Sequence, residues 1–249
     1  MPGFKLTFDE HVQFMQDASE GMHYKDLMKK YKISEPTAHR LMHRQPTKNR
    51  KYANSRLNTG FFKSINTEAK AYWLGFIAAD GGVYGNRVQL SCAAKDFEHI
   101  NSFVVETLCS TNKPWYNVKT DSYQFNIFSD EMRNDLRNLG IVERKTFKLK
   151  FPKLSDKLIH HFIRGYFDGD GSISYSKTNK CPQYNILGTF AFLNTLRKLA
   201  GLPVSILWNR SIRMIARCGK NVCRSFYDYL YRDAEIFLTR KKLRFEEVC

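Results

Sequence analysis

The sequence predicts an α+β fold in which two similar αββαββα units follow a small all-helical segment. The strongest sign is an internal repeat, since residues 67–249 contain two copies of the same order of helical and alternating segments. Each copy opens with a Gly, four further residues and Asp-Gly, and each closes with a similar basic stretch. Such self-similarity is typical of duplicated structural units.

The composition indicates a globular protein with a polyanionic partner. Of the 249 residues, 43% are hydrophobic and 26% charged, which is not the composition of a disordered chain. The 40 Lys and Arg residues outnumber 24 Asp and Glu, giving a net charge of +16. A basic surplus of this size favours nucleic acid as the partner. The alternative that needs no partner is a merely solvated basic surface.

No pattern in the sequence indicates a membrane or secretory protein. The longest apolar run, residues 71–79, is far shorter than the roughly 20 residues that cross a bilayer. The first residues lack the basic-then-apolar order of a signal peptide. We therefore expect an intracellular protein, in the cytoplasm, the nucleoid or an organelle matrix.

Residues 1–45 read as three short helices, over 8–19, 24–31 and 35–44, the last two of which form a helix-turn-helix. Pro36 stands in the first turn of the third helix, where its missing N–H is tolerated. The core of this segment is predicted to contain Leu27, Ile33, Ala38 and Leu41. Its candidate DNA-facing residues are Thr37, His39, Arg40, His43 and Arg44. The alternative is a small helical cap that packs on the main body.

Residues 46–66 are predicted to form a linker that carries basic residues and no acid. Such a segment can follow a phosphate backbone, and a plain solvated tether explains it equally well. The first repeat unit is expected at 67–152 and the second at 153–249.

Within the first unit, a helix is followed by a hairpin whose turn lies at Gly85-Asn86 and whose second strand is RVQLSCA, 87–93. A helix over 96–108, strands over 115–119 and 123–128, and a helix over 130–139 follow. The second unit repeats this order with strands at 172–176 and 184–187, a helix at 189–199, the strands VSILWNR and IRMIARC, and a helix at 222–231.

The six cysteines do not suggest a metal site. No CxxC pair occurs, and Cys218 and Cys223, which are nearest in sequence, have no histidine nearby. Zinc sites need such clusters, so buried reduced thiols are the better interpretation.

The two openings, WLGFIAADG at 73–81 and IRGYFDGDG at 163–171, resemble the motif of the LAGLIDADG homing endonucleases. The resemblance covers about three quarters of the chain and leaves out the N-terminal segment. It implies a DNA-binding saddle of two units, in one chain that works as a monomer without an obligatory protein partner. It also implies cleavage of both strands of a long asymmetric double-stranded DNA site, with Mg²⁺ or another divalent cation such as Mn²⁺.

The spacing of small residues supports this. Gly75 and Ala79 on one motif helix, and Gly165 and Gly169 on the other, would let two helix backbones approach closely. Asp80 and Asp170 would then lie side by side. The negative potential of the two helix C-termini and the repulsion between the two carboxylates disfavour their charged forms. Bound divalent cations would stabilise the carboxylates. The pair is predicted to be catalytic and metal-binding. Asp168 has Ala78 as its counterpart, so we expect a structural role for it.

Two lysines are further candidates. Lys145 and Lys241 hold matching places in the two closing stretches. The resemblance implies a lysine near the acids that polarises the attacking water or stabilises the phosphate. Contact with the DNA backbone, or a solvated surface, is the alternative for both.

The open face of each sheet is predicted to read DNA, because helices cover the other face and strand residues alternate between faces. Arg can read guanine, and Gln or Asn adenine, in the major groove. A strand whose parity is off by one would turn its set to the core. The candidates are Arg87, Gln89, Ser91, Lys119, Gln124, Asn126, Ser174, Ser176, Asn209, Arg213 and Arg217.

One other class of function stays open. A LAGLIDADG fold without cleavage would be a DNA-binding regulator or an RNA maturase, and the helix-turn-helix would suit a regulator. The presence of both acids favours the nuclease. The chain also lacks the His-Asn junction of an intein, so we expect a freestanding or intron-encoded protein.

Overall fold

The computed structural model describes residues 6–42, 56–143, 145, 148–209 and 212–249. The chain divides into two compact units, Met1–Arg56 and Leu57–Cys249. None of the helices in these described ranges is both long and apolar enough to span a bilayer.

The first compact unit contains three helices, α1 (Phe8–Ser19), α2 (Tyr24–Lys30) and α3 (Glu35–Met42). A capping box of Thr7 and Glu10 starts α1 by satisfying backbone N–H groups of its first turn. The helices enclose a small core of Phe14, Leu27, Ile33 and Ala38, with Leu41 partly buried beside it.

The segment before the first motif helix is not a free linker over its whole predicted length. Leu57, Phe61 and Phe62 are buried in the core of the second compact unit. The backbone N–H of Asn58 also donates to the carbonyl of Leu108. The prediction that the linker runs to residue 66 was therefore wrong for residues 57–66, where apolar side chains outweigh the basic character on which it relied.

The first repeat begins with α4 (Glu68–Asp80), which leads directly into β1 (Gly81–Tyr84) and β2 (Arg87–Ala93). A short 3-10 turn precedes α5 (Phe97–Ser102), which continues as a π-helical turn over Phe103–Thr107. Strands β3 (Trp115–Asn117) and β4 (Ser122–Ile127) and helix α6 (Asp130–Asn138) complete the unit.

The second repeat has the same order and, among the described residues, one further helix at its end. It consists of α7 (Asp156–Asp170), β5 (Gly171–Ser176), β6 (Cys181–Gly188), α8 (Phe190–Leu199), β7 (Ile206–Asn209), β8 (Ile212–Cys218), α9 (Lys220–Tyr231) and α10 (Thr239–Val248). The closing basic stretch, TRKKLRFEE, lies on α10.

The two sheets are antiparallel and topologically equivalent, with strand orders β1-β2-β4-β3 and β5-β6-β8-β7. Burial alternates along their central strands, so that Val88, Leu90 and Cys92 are buried between less buried neighbours. The buried face packs against the helices and forms one continuous core, and the other face is open. The predicted α+β fold of two pseudo-symmetric αββαββα units is confirmed.

Helices α4 and α7 pack backbone to backbone at the centre of this core. A Cβ atom placed on Gly75 would lie 2.0 Å from the carbonyl oxygen of Phe162, and one on Gly165 would lie 1.9 Å from that of Tyr72. Only glycine fits at either position. The predicted close approach of the two motif helices is therefore present, and it directs both helix ends to one place.

Candidate active site and DNA-facing surfaces

Asp80 and Asp170 are the last residues of α4 and α7. A Cβ atom on Gly169 would lie 2.3 Å from the Cβ of Ala79 and 3.4 Å from the carboxyl carbon of Asp80, so the two helix ends are in direct contact. Asp80 remains accessible to solvent, and Asp170 is half-buried. The helix pair thus brings the two predicted acids together.

The environment of these acids disfavours two negative charges. Protein atoms around Asp80, and then the carboxylate of Asp170, raise the pKa of Asp80 to about 6. Burial also raises the pKa of Asp170, against the opposing effects of Lys145 and Lys241. Both shifts have the direction expected of carboxylates that lack sufficient positive partners.

Lys145 lies at the end of the first motif helix. Its Nζ donates to the carbonyl oxygen of Ala79 at 2.6 Å, which satisfies one of the last backbone acceptors of α4. Burial lowers the pKa of Lys145, and the charges of Asp170 and Asp80 oppose this. The ammonium group therefore lies within electrostatic reach of both acids.

Lys241 lies at the equivalent end of the second motif helix but is held more completely. Its Nζ is within 2.6–3.0 Å of the carbonyl oxygens of four residues at the end of α7 and the start of β5, namely Phe167, Asp168, Gly169 and Gly171. The residue is 6% exposed, and burial lowers its pKa to about 8. These contacts use its donors on backbone, so its first role is to fix the helix end.

Asp168 connects the two motif helices and does not reach the Asp80–Asp170 pair. Its Oδ2 accepts hydrogen bonds of 2.8 Å from the hydroxyl of Tyr72 on α4 and from the backbone N–H of Leu238. It is 1% exposed, and burial raises its pKa to about 6. These contacts match the structural role expected for it.

An ion pair that the sequence did not suggest joins the two repeats beside the acids. Arg240, next to Lys241, donates through Nε and Nη2 to the two carboxylate oxygens of Asp96 at 2.6 and 2.7 Å. Asp96 is nearly buried, at 8% exposure. The pair orients α10 and therefore Lys241. The residues are 144 apart in sequence, so no local pattern could have indicated the contact.

Comparison with solved structures agrees with this architecture, although neither a scan against protein-family models nor a search of curated proteins finds a match. The homing endonuclease I-WcaI, solved with its DNA recognition sequence, is 16% identical, and the match covers 77% of this chain and 93% of I-WcaI at a TM-score of 0.51. The LAGLIDADG meganuclease I-CpaMI, bound to uncleaved DNA, is 14% identical, with 74% and 90% covered and a TM-score of 0.51.

A third similar structure is the LAGLIDADG meganuclease I-AabMI, also bound to uncleaved DNA, at 13% identity, with 71% and 87% covered and a TM-score of 0.50. The chain has the double-motif LAGLIDADG fold. The resemblance seen in the two motifs is thus confirmed at the level of the fold, and α4 and α7 are its LAGLIDADG helices.

The open face of the first LAGLIDADG sheet is polar. Arg87, Gln89 and Ser91 alternate along β2 with buried neighbours. The strand register places Asn126 opposite Gln89 and Gln124 opposite Ser91, so the five side chains share one face. Gln124 also donates through Nε2 to Oδ1 of Asn126 at 3.1 Å.

Lys119 does not belong to this face as a strand residue. Strand β3 ends at Asn117, whose side-chain oxygen accepts a hydrogen bond of 3.0 Å from the backbone N–H of Lys119. This side-chain contact turns the chain before the predicted strand is complete. The prediction of a strand through residue 119 was wrong, and Lys119 is an exposed turn residue.

Arg213 and Arg217 point to the opposite face from the one predicted. Strand β8 pairs with β6 such that Ile215 lies opposite Ile186, and both are fully buried. Residues two positions away from Ile215 share its face, so the two arginines lie on the helix-covered side. The guanidinium of Arg213 indeed lies 5.8 Å from the ring of Phe190 on α8. The predicted parity of β8 was wrong because IRMIARC has apolar residues at both parities.

The open face of the second sheet presents a set of residues that differs in part from the predicted one. Ser174 and Ser176 lie on the open face of β5, and Ser174 is opposite Gln183. Gln183 and Asn185, which sequence reasoning missed, alternate on β6 with Pro182, Tyr184 and Ile186, which are buried. That alternation was the available signal. The side chain of Asn209, at the end of β7, lies outside the described residues.

Of the helix-turn-helix candidates, Thr37 is half-buried and its hydroxyl is 3.0 Å from that of Ser34. The side chains of His39 and Arg40, and residues His43 and Arg44 entirely, lie outside the described residues.

The cysteines differ in part from the expectation of reduced thiols. Cys92 and Cys223 are free and buried, but Cys181 and Cys218 form a disulfide with a Cα–Cα distance of 6.1 Å. It connects the start of β6 to the end of β8 on the open face. The expectation was wrong for this pair, whose separation of 37 residues concealed their proximity in the sheet.

A group of metal-ligand types lies at the opposite end of α7, where His160, His161 and Asp233 meet. Arginines occupy its free positions, since Arg164 donates to Nδ1 of His161 at 3.0 Å and Arg232 to Nδ1 of His160 at 3.2 Å. Two guanidinium groups oppose a cation there, and we assign the group a structural role.

Proposed function

We propose that this chain is a single-chain endonuclease that hydrolyses one phosphodiester bond in each strand of a long, asymmetric double-stranded DNA site. One observation carries the proposal: two glycine-packed helices bring Asp80 and Asp170 together between two open sheet faces. The similar structures with TM-scores of 0.50 and 0.51 are DNA complexes of homing endonucleases and meganucleases, which supports it.

The acids fit a site for divalent cations, Mg²⁺ or Mn²⁺. Carboxylate oxygens are the ligands that these hard ions prefer. The raised pKa of both acids reflects negative charge that the protein compensates poorly, and a cation would compensate it. When bound, such cations supply an activated water and stabilise the leaving oxygen.

The residues of this chain have separate tasks in the reaction. Asp80 and Asp170 would each hold a divalent cation through their carboxylate oxygens, and each would orient the attacking water for one DNA strand. Lys145 lies within electrostatic reach of both acids and has a single backbone contact, so its ammonium can approach the negative charge of a scissile phosphate. Lys241 keeps the end of α7 in position through its four carbonyl contacts.

DNA binding would use the whole molecule. A net charge of +16 attracts the phosphate backbone, and the open face of each sheet offers side chains to one half-site. Because one chain supplies both halves and the halves differ in sequence, a monomer is sufficient and its site is asymmetric. The N-terminal helices would add contacts in the manner of a helix-turn-helix.

The proposal is tested by incubating the full-length protein with a library of randomised DNA duplexes in Mg²⁺, and by sequencing the linear products. We expect double-strand cuts at one family of sites, and none when EDTA replaces Mg²⁺. Asp80→Asn and Asp170→Asn should each remove cutting of at least one strand while binding, measured by gel shift, is retained.

Glu98→Gln provides the control, because this exposed residue lies on helix α5 and not on an open sheet face, and the variant should leave the cutting rate within a few-fold of wild type. Normal cutting by the Asp80→Asn, Asp170→Asn double variant would refute the active-site assignment. Sequence-specific binding without any cutting in Mg²⁺ or Mn²⁺ would instead support a regulator.

A further inference from the structure

The two open sheet faces differ most in the row of residues nearest the acids. Gly81 follows Asp80 and pairs with Leu90, and Gly171 follows Asp170 and pairs with Ile186. The residue that follows Leu90 on β2 and the residue that follows Ile186 on β6 are therefore the first open-face positions beside the acids. These two positions are Ser91 and Leu187.

Following the register across the sheets from these positions gives two equivalent rows. On the first sheet, Ser91 is opposite Gln124 and Gln124 is opposite Trp115. On the second sheet, the matching row is Leu187, Met214 and Leu207, which we call the apolar row. The first row contains hydrogen-bonding side chains at its two central positions, whereas the second is entirely apolar.

The apolar row lies on a face with little charge. Leu207 is 47% exposed, and Leu187 and Met214 are half-buried. Arg213 and Arg217 lie on the other face of β8. Among the described side chains of β5, β6, β7 and β8, none on the open face is Lys or Arg. The described part of this face is therefore uncharged around the apolar row.

We propose that the apolar row recognises the 5-methyl groups of thymines, so that the half-site bound by the second sheet is thymine-rich in the base pairs nearest the cleavage point. This rests on the proposed function. In the major groove the thymine methyl is the one apolar group that a base edge presents. The row at the equivalent place on the first sheet selects by hydrogen bonds instead.

DNA, and not another protein, is the occupant that the rest of the molecule favours. The apolar row is continuous with the polar part of the same face, where Ser174, Gln183 and Asn185 offer hydrogen-bonding groups. It also adjoins Asp170, at the site where the proposed cleavage occurs. The net charge of +16 attracts a polyanion to the molecule as a whole.

The experiment uses the DNA site selected by full-length wild-type protein and replaces each thymine, one at a time, by uracil. This removes a methyl group and nothing else. We expect an affinity loss of about threefold for each contacted thymine of the second half-site, as burial of one methyl group predicts. Met214→Ala should remove the penalty at one position, because the contact is already lost.

Gln124→Ala is the matched control, since Gln124 holds the equivalent position on the first sheet. It should leave every uracil penalty in the second half-site unchanged. The uracil series on wild-type protein needs no variant, and Met214→Gln replaces Met214→Ala if the latter melts at a lower temperature than wild type.

Three results would overturn the inference: a second half-site without thymine preference, uracil tolerated there without loss, or a penalty that persists in Met214→Ala and Met214→Gln. A concentration-dependent dimer that Leu207→Ser dissociates would assign the apolar row to a second copy and also overturn it. If the wild-type protein enriches no duplex from the library, the proposed function itself fails.

Discussion

Asp80 and Asp170 each end a helix, where the last carbonyl groups already create negative potential. Lysines compensate this incompletely, since the pKa of both acids stays raised. The fold therefore maintains an electrostatic cost at the position where the proposed chemistry needs cations. Such a cost is common at functional sites, where stability is lost in favour of activity.

Replacing Asp80 by Asn should raise the stability of the cation-free protein, because the variant removes a charge that the native state disfavours. The gain should be small, about 1 kcal/mol or less, since Asp80 is accessible to solvent. The native pKa of about 6 exceeds the ordinary 3.8, so the cost of the charge is present at pH 7 and above. It is lost as the pH falls from 6 towards 4, where the native state takes up the proton.

Urea unfolding of wild type and Asp80→Asn in EDTA at pH 7.5, 6 and 4.5 measures this difference. The advantage of the variant should decrease with each step to lower pH. Glu106→Gln provides the control, because Glu106 lies on the first repeat away from the acids. An Asp80→Asn variant that is less stable at pH 7.5 would contradict the argument.

The two lysines should respond differently to removal. Lys241→Met removes a buried ammonium that contacts four carbonyl oxygens, and we expect a stability loss of about 3 kcal/mol. Lys145→Met removes a single carbonyl contact from a half-buried residue and should cost about 1 kcal/mol. Its cutting rate at a temperature where both variants are folded should fall more than that of Lys241→Met. Equal stability losses would contradict the assignment of separate roles.

At this scale the sequence indicated the acids and lysines but not how firmly each is held. The motifs place Asp80 and Asp170 because a helix period and a glycine spacing are local properties. The four-carbonyl environment of Lys241 and the pair of Asp96 with Arg240 depend on residues far away in sequence. Only the packed helices bring those partners together.

Among the elements, the LAGLIDADG helix pair depends most strictly on the absence of side chains. Gly→Ala in a helix ordinarily stabilises a protein slightly, by up to about 1 kcal/mol. Gly75→Ala and Gly165→Ala should instead destabilise it by about 3 kcal/mol or more, because the added Cβ would meet backbone at 2.0 and 1.9 Å. Thermal denaturation of each variant shows whether the substitution stabilises or destabilises the protein.

Gly60→Ala is the appropriate comparison, since the nearest atom to its Cβ would be a side-chain oxygen of Glu131 at 3.8 Å. It should stay within about 0.5 kcal/mol of wild type. If Gly75→Ala and Gly60→Ala were equally stable, the helices would not be in backbone contact.

Element order was predictable from sequence, and strand parity was not always so. In β2 the large apolar residues, Val88 and Leu90, occupy one parity, and the predicted open face, with Arg87 and Gln89, was placed correctly. In β8 both parities contain apolar residues, and the pairing of Ile215 with Ile186 decides the face. A one-residue error in parity there placed Arg213 and Arg217 on the predicted open face in place of Met214. The sequence therefore did not indicate the apolar row.

Considered as a whole, the second compact unit preserves a fold that sequence comparison no longer detects. Its similarity to solved LAGLIDADG structures is 13–16% in identity at TM-scores of 0.50 and 0.51, and no family model matches. Within this chain, each repeat contributes one of the two glycine-packed helices and one sheet with the equivalent strand order. The two repeats are therefore more alike in backbone arrangement than in the side chains on their open sheet faces.

The boundary between the two compact units gives a final prediction. Because Leu57, Phe61 and Phe62 contribute to the core of the second unit, a protein of residues 57–249 should fold with a melting temperature close to that of the full chain. A protein of residues 67–249 lacks these three side chains and should be destabilised by several kcal/mol. Loss of each of the two buried phenylalanine rings should cost about 3 kcal/mol.

Calorimetry of both truncated proteins tests this, and gel shifts on the selected DNA site test the other role of the boundary. If residues 6–42 form an accessory helix-turn-helix, then the 57–249 protein should keep its cutting position while binding more weakly, with a shallower dependence of affinity on salt because phosphate contacts are lost. Unchanged affinity and salt dependence would exclude DNA contact by the N-terminal helices. Unfolding of the 57–249 protein would contradict this prediction and would favour the alternative, in which the N-terminal helices are a cap on the main body.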